Sequence, residues 1–271
     1  MPSNPLAIFR HLEQSNCREC GEKTCLAFAA AVAIGQKPFA SCPRLNAAAQ
    51  AALADILPQA PASQHGEEHL AQLKTELRHI DLAEAAERCG GQYLGGWLTL
   101  NILGKPCACD QNGNLRTQLH VNPWMLSPFF TYIIGCKGAE STGKWLNFRD
   151  LPGGMDRYPH FRKGAEEAMR DVADRHTSLF ADLALIFSAK KQPPHLGADV
   201  SVLLLPLPKL PLLLSYWRAD EEVASELYIH VDETAKDNLD IDAIHNICVG
   251  MATMFGRLAT RHGGSRHSSF A

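Results

Sequence analysis

The sequence lacks any apolar run that could cross a membrane. Its longest apolar stretch, residues 202–214, is interrupted by three prolines and a lysine, whereas a membrane-spanning helix needs about 20 consecutive apolar residues. The N-terminus also lacks the basic segment and the following apolar segment of a secretory signal. We therefore expect a cytoplasmic protein with no membrane span.

The sequence has no excess of charge of either sign. Its 26 lysines and arginines oppose 29 aspartates and glutamates, which gives a formal net charge of -3 at pH 7. This balance provides no general positive field for the phosphates of nucleic acid or of anionic lipid, so we expect no nucleic-acid partner. Hydrophobic residues make up 46% of the chain, which is enough for one large core or two small ones.

Cysteine, in contrast, is abundant and unevenly distributed. Four of the nine cysteines fall within one short segment in the order Cys17-x2-Cys20-x4-Cys25-x16-Cys42-Pro. An odd total in a reducing compartment argues against a disulfide framework and favours metal binding or burial. Because thiolates are soft ligands, four of them at this density predict either an iron-sulfur cluster or a zinc ion.

The spacing of these four cysteines favours the cluster. Structural zinc sites usually combine two short cysteine pairs, whereas Cys25 and Cys42 are separated by 16 residues that include a predicted helix. Three clustered cysteines plus a distant one followed by proline match the ligands of a cuboidal cluster. We predict one 4Fe-4S cluster bound by Cys17, Cys20, Cys25 and Cys42. The alternatives are a zinc ion or four buried cysteines without a ligand.

Residues 4–60 resemble a small 4Fe-4S domain of known proteins. This domain is found at the N-terminus of the large subunit of the corrinoid iron-sulfur protein and in the B subunit of Rnf-type electron-transport complexes. The resemblance rests on residues 16–21, on residues 24–29 and on Cys42-Pro43. It implies a redox partner protein, a corrinoid or other small-molecule ligand, and a place in anaerobic metabolism.

Composition predicts two domains joined by a linker. Residues 58–66 are small, polar and rich in proline, which is typical of an exposed linker. We place an all-helical cluster domain at residues 1–57, with one helix running from Leu45 to Ile56, and a larger domain at residues 67–271.

The larger domain is predicted to have an α+β fold in which helices cover an antiparallel sheet. Short apolar or alternating segments bounded by glycine, proline or asparagine indicate its strands. The main ones are residues 97–103, 199–205, 210–217 and 227–231. A closing helix is predicted from about Asp240 to Arg261.

Residues 80–262 resemble an uncharacterised family, domain-of-unknown-function family number 3786. The matching pieces are residues 143–152, Asp199, residues 207–212, Trp217 and the run Asp220-Glu221-Glu222. The sequence departs from the family at Lys209, where arginine is usual, and at Ala219, where glycine is usual. The resemblance implies a family and says little about chemistry.

The segment around Trp217 is the candidate site outside the cysteine cluster. Trp217, Asp220 and Glu221 are hypothesised to bind a ligand or a partner. If one of the carboxylates is partly buried, burial and repulsion by its neighbours should raise its pKa. The alternative is a solvated turn. The other five cysteines are interpreted as buried or incidental residues; they are Cys89, Cys107, Cys109, Cys136 and Cys248.

Three functions fit these observations. The first is electron transfer, or the handling of a metal cofactor, for an anaerobic partner enzyme. The second is an iron-sulfur enzyme with a substrate or second cofactor near Trp217 and Asp220. In the third, the cluster is purely structural, because a domain of about 55 residues has little core of its own. The sequence does not decide whether the protein is an enzyme.

Overall fold

The computed structural model describes residues 5–33, 37, 39–46, 49, 62–119, 122–176 and 179–263. The chain divides into two compact units, residues 1–71 and residues 72–271. Most of the helix predicted from Leu45 to Ile56 lies outside the described residues.

The described part of the first unit consists of helices and irregular segments. It contains α1 (Pro5–Phe9), α2 (Cys25–Ala33) and a short 3-10 turn (Phe39–Ser41). Helix α1 packs against α2. The small core between them consists of Ile8, Leu12, Phe28, Ala29, Val32, Leu45 and Ala49. Because few apolar residues are buried in the described part of this unit, a bound metal would add to its stability.

Part of the predicted linker is helical. Helix α3 (Ala62–Leu77) begins inside residues 58–66 and continues into the second unit. Leu73 and Leu77 are buried on one face of this helix. Burial of this apolar face favours helix formation.

Helix α4 (Leu82–Cys89) has well-defined ends. The Asp81 carboxylate accepts hydrogen bonds from the backbone N–H groups of Ala83 and Glu84, at 2.8 and 3.2 Å. These bonds satisfy donors that the first helical turn leaves unpaired. Gly90, with φ of +73°, ends the helix in the left-handed conformation that glycine adopts without strain. Cys89 is therefore held at a fixed position, the last residue of α4.

A four-stranded antiparallel sheet follows, with its strands in sequence order. The strands are β1 (Gln92–Leu94), β2 (Trp97–Ile102), β3 (Lys105–Cys109) and β4 (Leu115–Thr117). Leu103 and Gly104, both with positive φ, form the tight turn between β2 and β3. Cys107 and Cys109 lie two residues apart on β3 and are fully buried, which confirms their interpretation as core residues.

The rest of the second unit consists of helices and a five-stranded sheet. The strands are β5 (Trp145–Asn147), β6 (Lys190–Gln192), β7 (Val200–Leu207), β8 (Leu210–Trp217) and β9 (Glu226–Asp232). The helices are α5 (Pro123–Gly135), α6 (Gly154–Phe161), α7 (Glu167–Arg175), α8 (Leu179–Phe187), α9 (Ala235–Asn238) and α10 (Ile241–Gly263). A π-helical turn (Arg162–Glu166) joins α6 to α7.

All strand pairs in the five-stranded sheet are antiparallel, in the order β5-β9-β8-β7-β6. The predicted α+β class is therefore confirmed. Leu212, Leu214, Ile229 and Val231 alternate along β8 and β9 and are buried on one sheet face. Helix α7 packs against β9, and α10 packs against α5 and α7. Within the described residues, no helix is both long and apolar enough to span a bilayer.

Candidate functional site

The four predicted cluster ligands lie around one loop of the first unit. Cys17 and Cys20 are in the irregular segment before α2, Cys25 is the first residue of α2, and Cys42 follows the 3-10 turn. The segment is tightly wound, because several of its residues have positive φ. They are Gln14, Asn16, Arg18 and Gly21. Non-glycine residues adopt this conformation only where the surrounding structure imposes it.

Asn16 fixes the loop against the start of α2. Its side-chain oxygen accepts a hydrogen bond from the Cys25 N–H at 2.8 Å, and its own N–H lies 3.4 Å from the Cys25 sulfur. Thr24 caps the helix by accepting a hydrogen bond from the Ala27 N–H at 3.1 Å. The Cys25 sulfur therefore receives a backbone donor at a helix N-terminus.

Two cations lie beside the cysteines. The Lys37 ammonium donates to the Cys20 carbonyl at 3.0 Å and pairs with Glu22 at 2.7 Å. Arg44 donates to Glu19 at 2.7 Å and also interacts electrostatically with Cys17. Both cations are close to the charge that bound thiolates would carry.

The donor set fits an iron-sulfur cluster. All four cysteines are half-buried, and the side chains of Cys20, Cys25 and Cys42 pack against the edge of the small apolar core. Burial raises the pKa of the Cys42 thiol, and the charges of Cys20, Cys17 and Cys25 raise it further. The Cys42 sulfur is therefore close enough to the other three cysteines to interact with them electrostatically.

The four thiols do not form a preassembled metal-binding site in this structure. Across the described ranges, no three His, Cys, Asp or Glu side chains stand close enough together to hold a metal ion. Because thiolates repel, they need a bound cation to bring them within bonding distance. Ligation of a cluster by Cys17, Cys20, Cys25 and Cys42 is therefore a proposal, taken up below.

Asp220, in the second predicted site, stabilises a turn. Its exposed carboxylate accepts hydrogen bonds from the backbone N–H groups of Glu222 and Val223, at 2.9 and 2.8 Å. These two bonds hold the pKa of Asp220 below its usual value. The expectation of a raised pKa is wrong for Asp220, because its carboxylate is in solvent and is paired with donors.

Trp217 and Glu221 lie in different environments. Trp217 ends β8, and its ring meets the Tyr228 ring edge-on with 5.8 Å between centroids. Glu221 is exposed in the turn. These contacts match the solvated-turn alternative for the acidic residues, and binding by Trp217, Asp220 and Glu221 stays a prediction.

A cleft of about 330 Å³ lies elsewhere in the second unit. It is lined by the segment Leu151-Pro152, by Lys236 and Asp240, and by the start of α10 at Ile241 and Ile244. Its size is within the range of small-molecule sites. None of these residues belongs to the predicted Trp217 site.

Asp232 is a buried carboxylate that sequence reasoning missed. It accepts hydrogen bonds from the Ser141 hydroxyl and the Gly143 N–H, both at 2.7 Å, and from the Thr234 hydroxyl at 2.7 Å. Although burial opposes it, these bonds hold the pKa of Asp232 below its usual value. Asp232 therefore fixes the irregular segment 138–144 to the end of β9.

Glu166 is the second carboxylate that sequence reasoning missed. It lies in the π-helical turn, is 1% exposed, accepts from the Ile229 N–H at 3.1 Å and receives the Tyr158 hydroxyl at 3.2 Å. Burial raises its pKa to about 7, although these hydrogen bonds and Arg162 oppose the shift. The sequence gives no signal of this burial. An amphipathic helical pattern would place a glutamate on the solvent side of the helix, and the π-helical turn shifts Glu166 to a different face.

Replacing Glu166 with Gln is expected to make stability less dependent on pH. Because the pKa of Glu166 is raised in the folded state, protonated Glu166 contributes to the stability of the wild type. This contribution is complete below about pH 4.5 and is lost as the pH rises through about 7. Because Gln is uncharged and can still accept from Ile229, the variant should be more stable than the wild type at pH 8, by up to about 3 kcal/mol. Urea denaturation at pH 5 and pH 8 measures the difference.

The matched control is Glu221→Gln, in the exposed turn. It should change stability by no more than about 0.5 kcal/mol at either pH. Equal pH profiles for the wild type and Glu166→Gln would contradict the raised pKa.

Two family models match the chain. One, described as "Putative Fe-S cluster", matches residues 12–44. The other, described as a domain of unknown function (DUF3786), matches residues 81–254. These regions include the four cysteines of the loop and almost all of the second unit.

One similar curated protein is the corrinoid/iron-sulfur protein large subunit of Moorella thermoacetica. It is 47% identical to this chain over 53 residues, which are 20% of this chain and 12% of the relative. The chain thus spans a small part of the relative's length. No solved structure matches the chain. The first unit is a region of the iron-sulfur cluster-binding type, and the chain, with its second unit, belongs to the DUF3786 family.

Proposed function

We propose that Cys17, Cys20, Cys25 and Cys42 bind one 4Fe-4S cluster and that the protein transfers single electrons to or from a partner protein. The observation that carries this proposal is the set of four half-exposed thiols at the edge of a small apolar core. Four thiolates complete the ligand set of a cuboidal cluster, with one sulfur for each iron. Such a cluster supplies a one-electron redox couple.

The residues around the cysteines have roles that fit this function. Lys37 and Arg44 place positive charge beside Cys20 and Cys17, which offsets the negative charge of the thiolates. The Asn16 N–H points to the Cys25 sulfur, and such hydrogen bonds tune cluster potentials. Half-burial leaves part of the site in reach of a partner, as electron exchange requires.

The relative supports the choice of partner. Its name describes a subunit of a protein that carries both a corrinoid and an iron-sulfur group. We propose a corrinoid-bearing protein as the redox partner, with an anaerobic, cytoplasmic setting. A corrinoid or another small molecule bound by the second unit is the alternative ligand role.

Anaerobically purified protein is expected to be reduced reversibly by dithionite. The visible absorbance of the cluster should bleach and return on reoxidation, with a midpoint potential clearly below zero. A potentiometric titration followed by absorbance and electron paramagnetic resonance measures this. A cluster that dithionite cannot reduce would contradict electron transfer and favour the structural role. If the reduced cluster is reoxidised only when a substrate is added, the result would favour the alternative that the protein is an iron-sulfur enzyme.

Two matched variants test whether the measured potential belongs to this loop. Lys37→Gln removes a positive charge beside Cys20 and should lower the potential, whereas Glu22→Gln removes the paired negative charge and should raise it. Both variants should retain the iron content of the wild type. Shifts of the same sign would contradict the placement of the cluster beside Lys37.

A further inference from the structure

Two buried thiols meet where two helices of the second unit end. Cys89 is the last residue of α4 and is 0% exposed, and Cys136 follows α5 directly and is 1% exposed. The two chain segments are joined by reciprocal contacts. The Tyr132 hydroxyl donates to the Cys89 carbonyl at 3.0 Å, and the Cys89 thiol lies 3.6 Å from the Tyr132 carbonyl. The Cys136 thiol lies 3.8 Å from the Arg88 carbonyl.

The Cys136 sulfur has both acceptors and donors around it, and its thiol also lies 3.4 Å from the Asn238 side-chain oxygen, which accepts from it. The Gly138 N–H donates to the Cys136 sulfur at 3.4 Å, and the Arg88 guanidinium donates to the carbonyl of Cys136 itself. Lys209, which is 13% exposed, places its ammonium 3.0 Å from the Gly138 carbonyl. Direct interaction with the Cys89 thiol lowers the pKa of Cys136 to about 6, with help from Gly138 and Arg88. The same interaction raises the pKa of Cys89.

This arrangement assigns different roles to the two sulfurs. A thiolate attacks an oxidant faster than a thiol does, so Cys136 is the residue that reacts first. Cys89 interacts directly with the Cys136 side chain and is therefore placed to reach the product, and its raised pKa keeps its proton in place. A low-pKa cysteine next to a second cysteine is the usual arrangement of a reversible thiol redox pair.

We propose that Cys136 and Cys89 form a reversible disulfide when the protein meets a peroxide. The Cys136 thiolate attacks hydrogen peroxide, takes one oxygen as a sulfenic acid and releases hydroxide, which is protonated to water. The Cys89 sulfur then attacks the Cys136 sulfur, forms the S–S bond and releases a second water. Together the two thiols lose two electrons and two protons, and one peroxide becomes two waters. A dithiol reductant reverses the change.

Burial limits which oxidants can reach the pair. Peroxide is the size of one or two water molecules, so the proposed step requires only a small local opening of the irregular segment 136–144, which begins at Cys136. A bulky disulfide oxidant needs a much larger opening. The step uses none of the four cysteines of the loop in the first unit, so it is independent of the proposed cluster.

The test is peptide mapping of the full chain after treatment with hydrogen peroxide. Remaining thiols are blocked with N-ethylmaleimide in denaturant, and the protein is cut with trypsin and then chymotrypsin. Cleavage after Trp97 separates Cys89 from Cys107 and Cys109. We expect a Cys89–Cys136 linked peptide that dithiothreitol abolishes.

Cys107 and Cys109 are the matched control pair. Both are fully buried, and burial raises the pKa of both thiols, that of Cys109 to about 12. After the same peroxide treatment both thiols should still be free and should be fully alkylated by N-ethylmaleimide. Linkage of Cys107 to Cys109 at an equal yield, or full alkylation of both Cys89 and Cys136, would overturn the proposal.

Two variants test the order of the steps. In Cys89→Ala the sulfenic acid at Cys136 has no resolving thiol, so dimedone should label Cys136 after peroxide treatment. In Cys136→Ala, Cys89 should stay unlabelled. Labelling of Cys89 in Cys136→Ala at the level seen for Cys136 would overturn the assigned roles. Circular dichroism melts confirm that each variant is folded, and repeating the mapping with Cys17→Ser separates this result from the cluster.

Discussion

Replacing any one of Cys17, Cys20, Cys25 or Cys42 with Ser is expected to abolish stable cluster binding. Anaerobically purified wild type should contain about four irons and four sulfides, and each variant should contain fewer than about one iron. A serine hydroxyl is a harder and less acidic ligand than a thiol, so the fourth position is lost and the cluster becomes labile. Iron and acid-labile sulfide analysis, with the visible spectrum, measures the loss.

The control for this series is the double variant Cys107→Ser and Cys109→Ser. These two buried cysteines lie on β3 of the second unit. Iron content should match the wild type, although burying two hydroxyls costs about 1–3 kcal/mol each if they find no partner. One zinc ion per chain with no acid-labile sulfide would contradict the iron-sulfur assignment.

Replacing Asp232 with Ala is expected to destabilise the second unit by about 3–5 kcal/mol. The Asp232 side chain is 0% exposed, and its loss leaves the donors of Ser141, Gly143 and Thr234 without their acceptor. Unpaired buried donors cost more than a hydrogen bond contributes, and the edge strand β5, which pairs with β9 at this point, loses its support. Urea denaturation of the full chain measures the change in the free energy of unfolding.

Asp110→Ala is the matched control for Asp232→Ala. Asp110 also accepts from nearby backbone donors, those of Asn112 and Asn114 at 2.9 Å, but water can replace it because this turn is exposed. Its loss should cost about 1 kcal/mol or less. Equal effects of the two substitutions would contradict the buried role of Asp232.

Local sequence features determined the elements of the fold. Alternating or continuous apolar residues defined strands such as β8, and its antiparallel pairing with β7 and β9 is as predicted. The same features misjudged residues 62–66, which are helical although their small and polar side chains, directly after Pro61, indicated a linker. Composition indicates only a weak local preference. Burial of Leu73 and Leu77 stabilises helix α3, which includes residues 62–66.

The sequence determined the iron-sulfur character of the first unit because its information is local. The four cysteines lie in 26 residues, and their number and spacing favour an iron-sulfur cluster over zinc before any folding is considered. The positions of Lys37 and Arg44 beside Cys20 and Cys17 were not visible, because a cation's neighbours depend on how the loop turns.

The tertiary structure alone decided the remaining chemistry. Cys89 and Cys136 are 47 positions apart and meet only because α4 and α5 end at the same place. Glu166 and Asp232 look like ordinary surface carboxylates in the sequence, yet packing removes them from water and supplies their donors. Burial and long-range pairing set these pKa values and reactivities, and neither is encoded in the spacing of neighbouring residues.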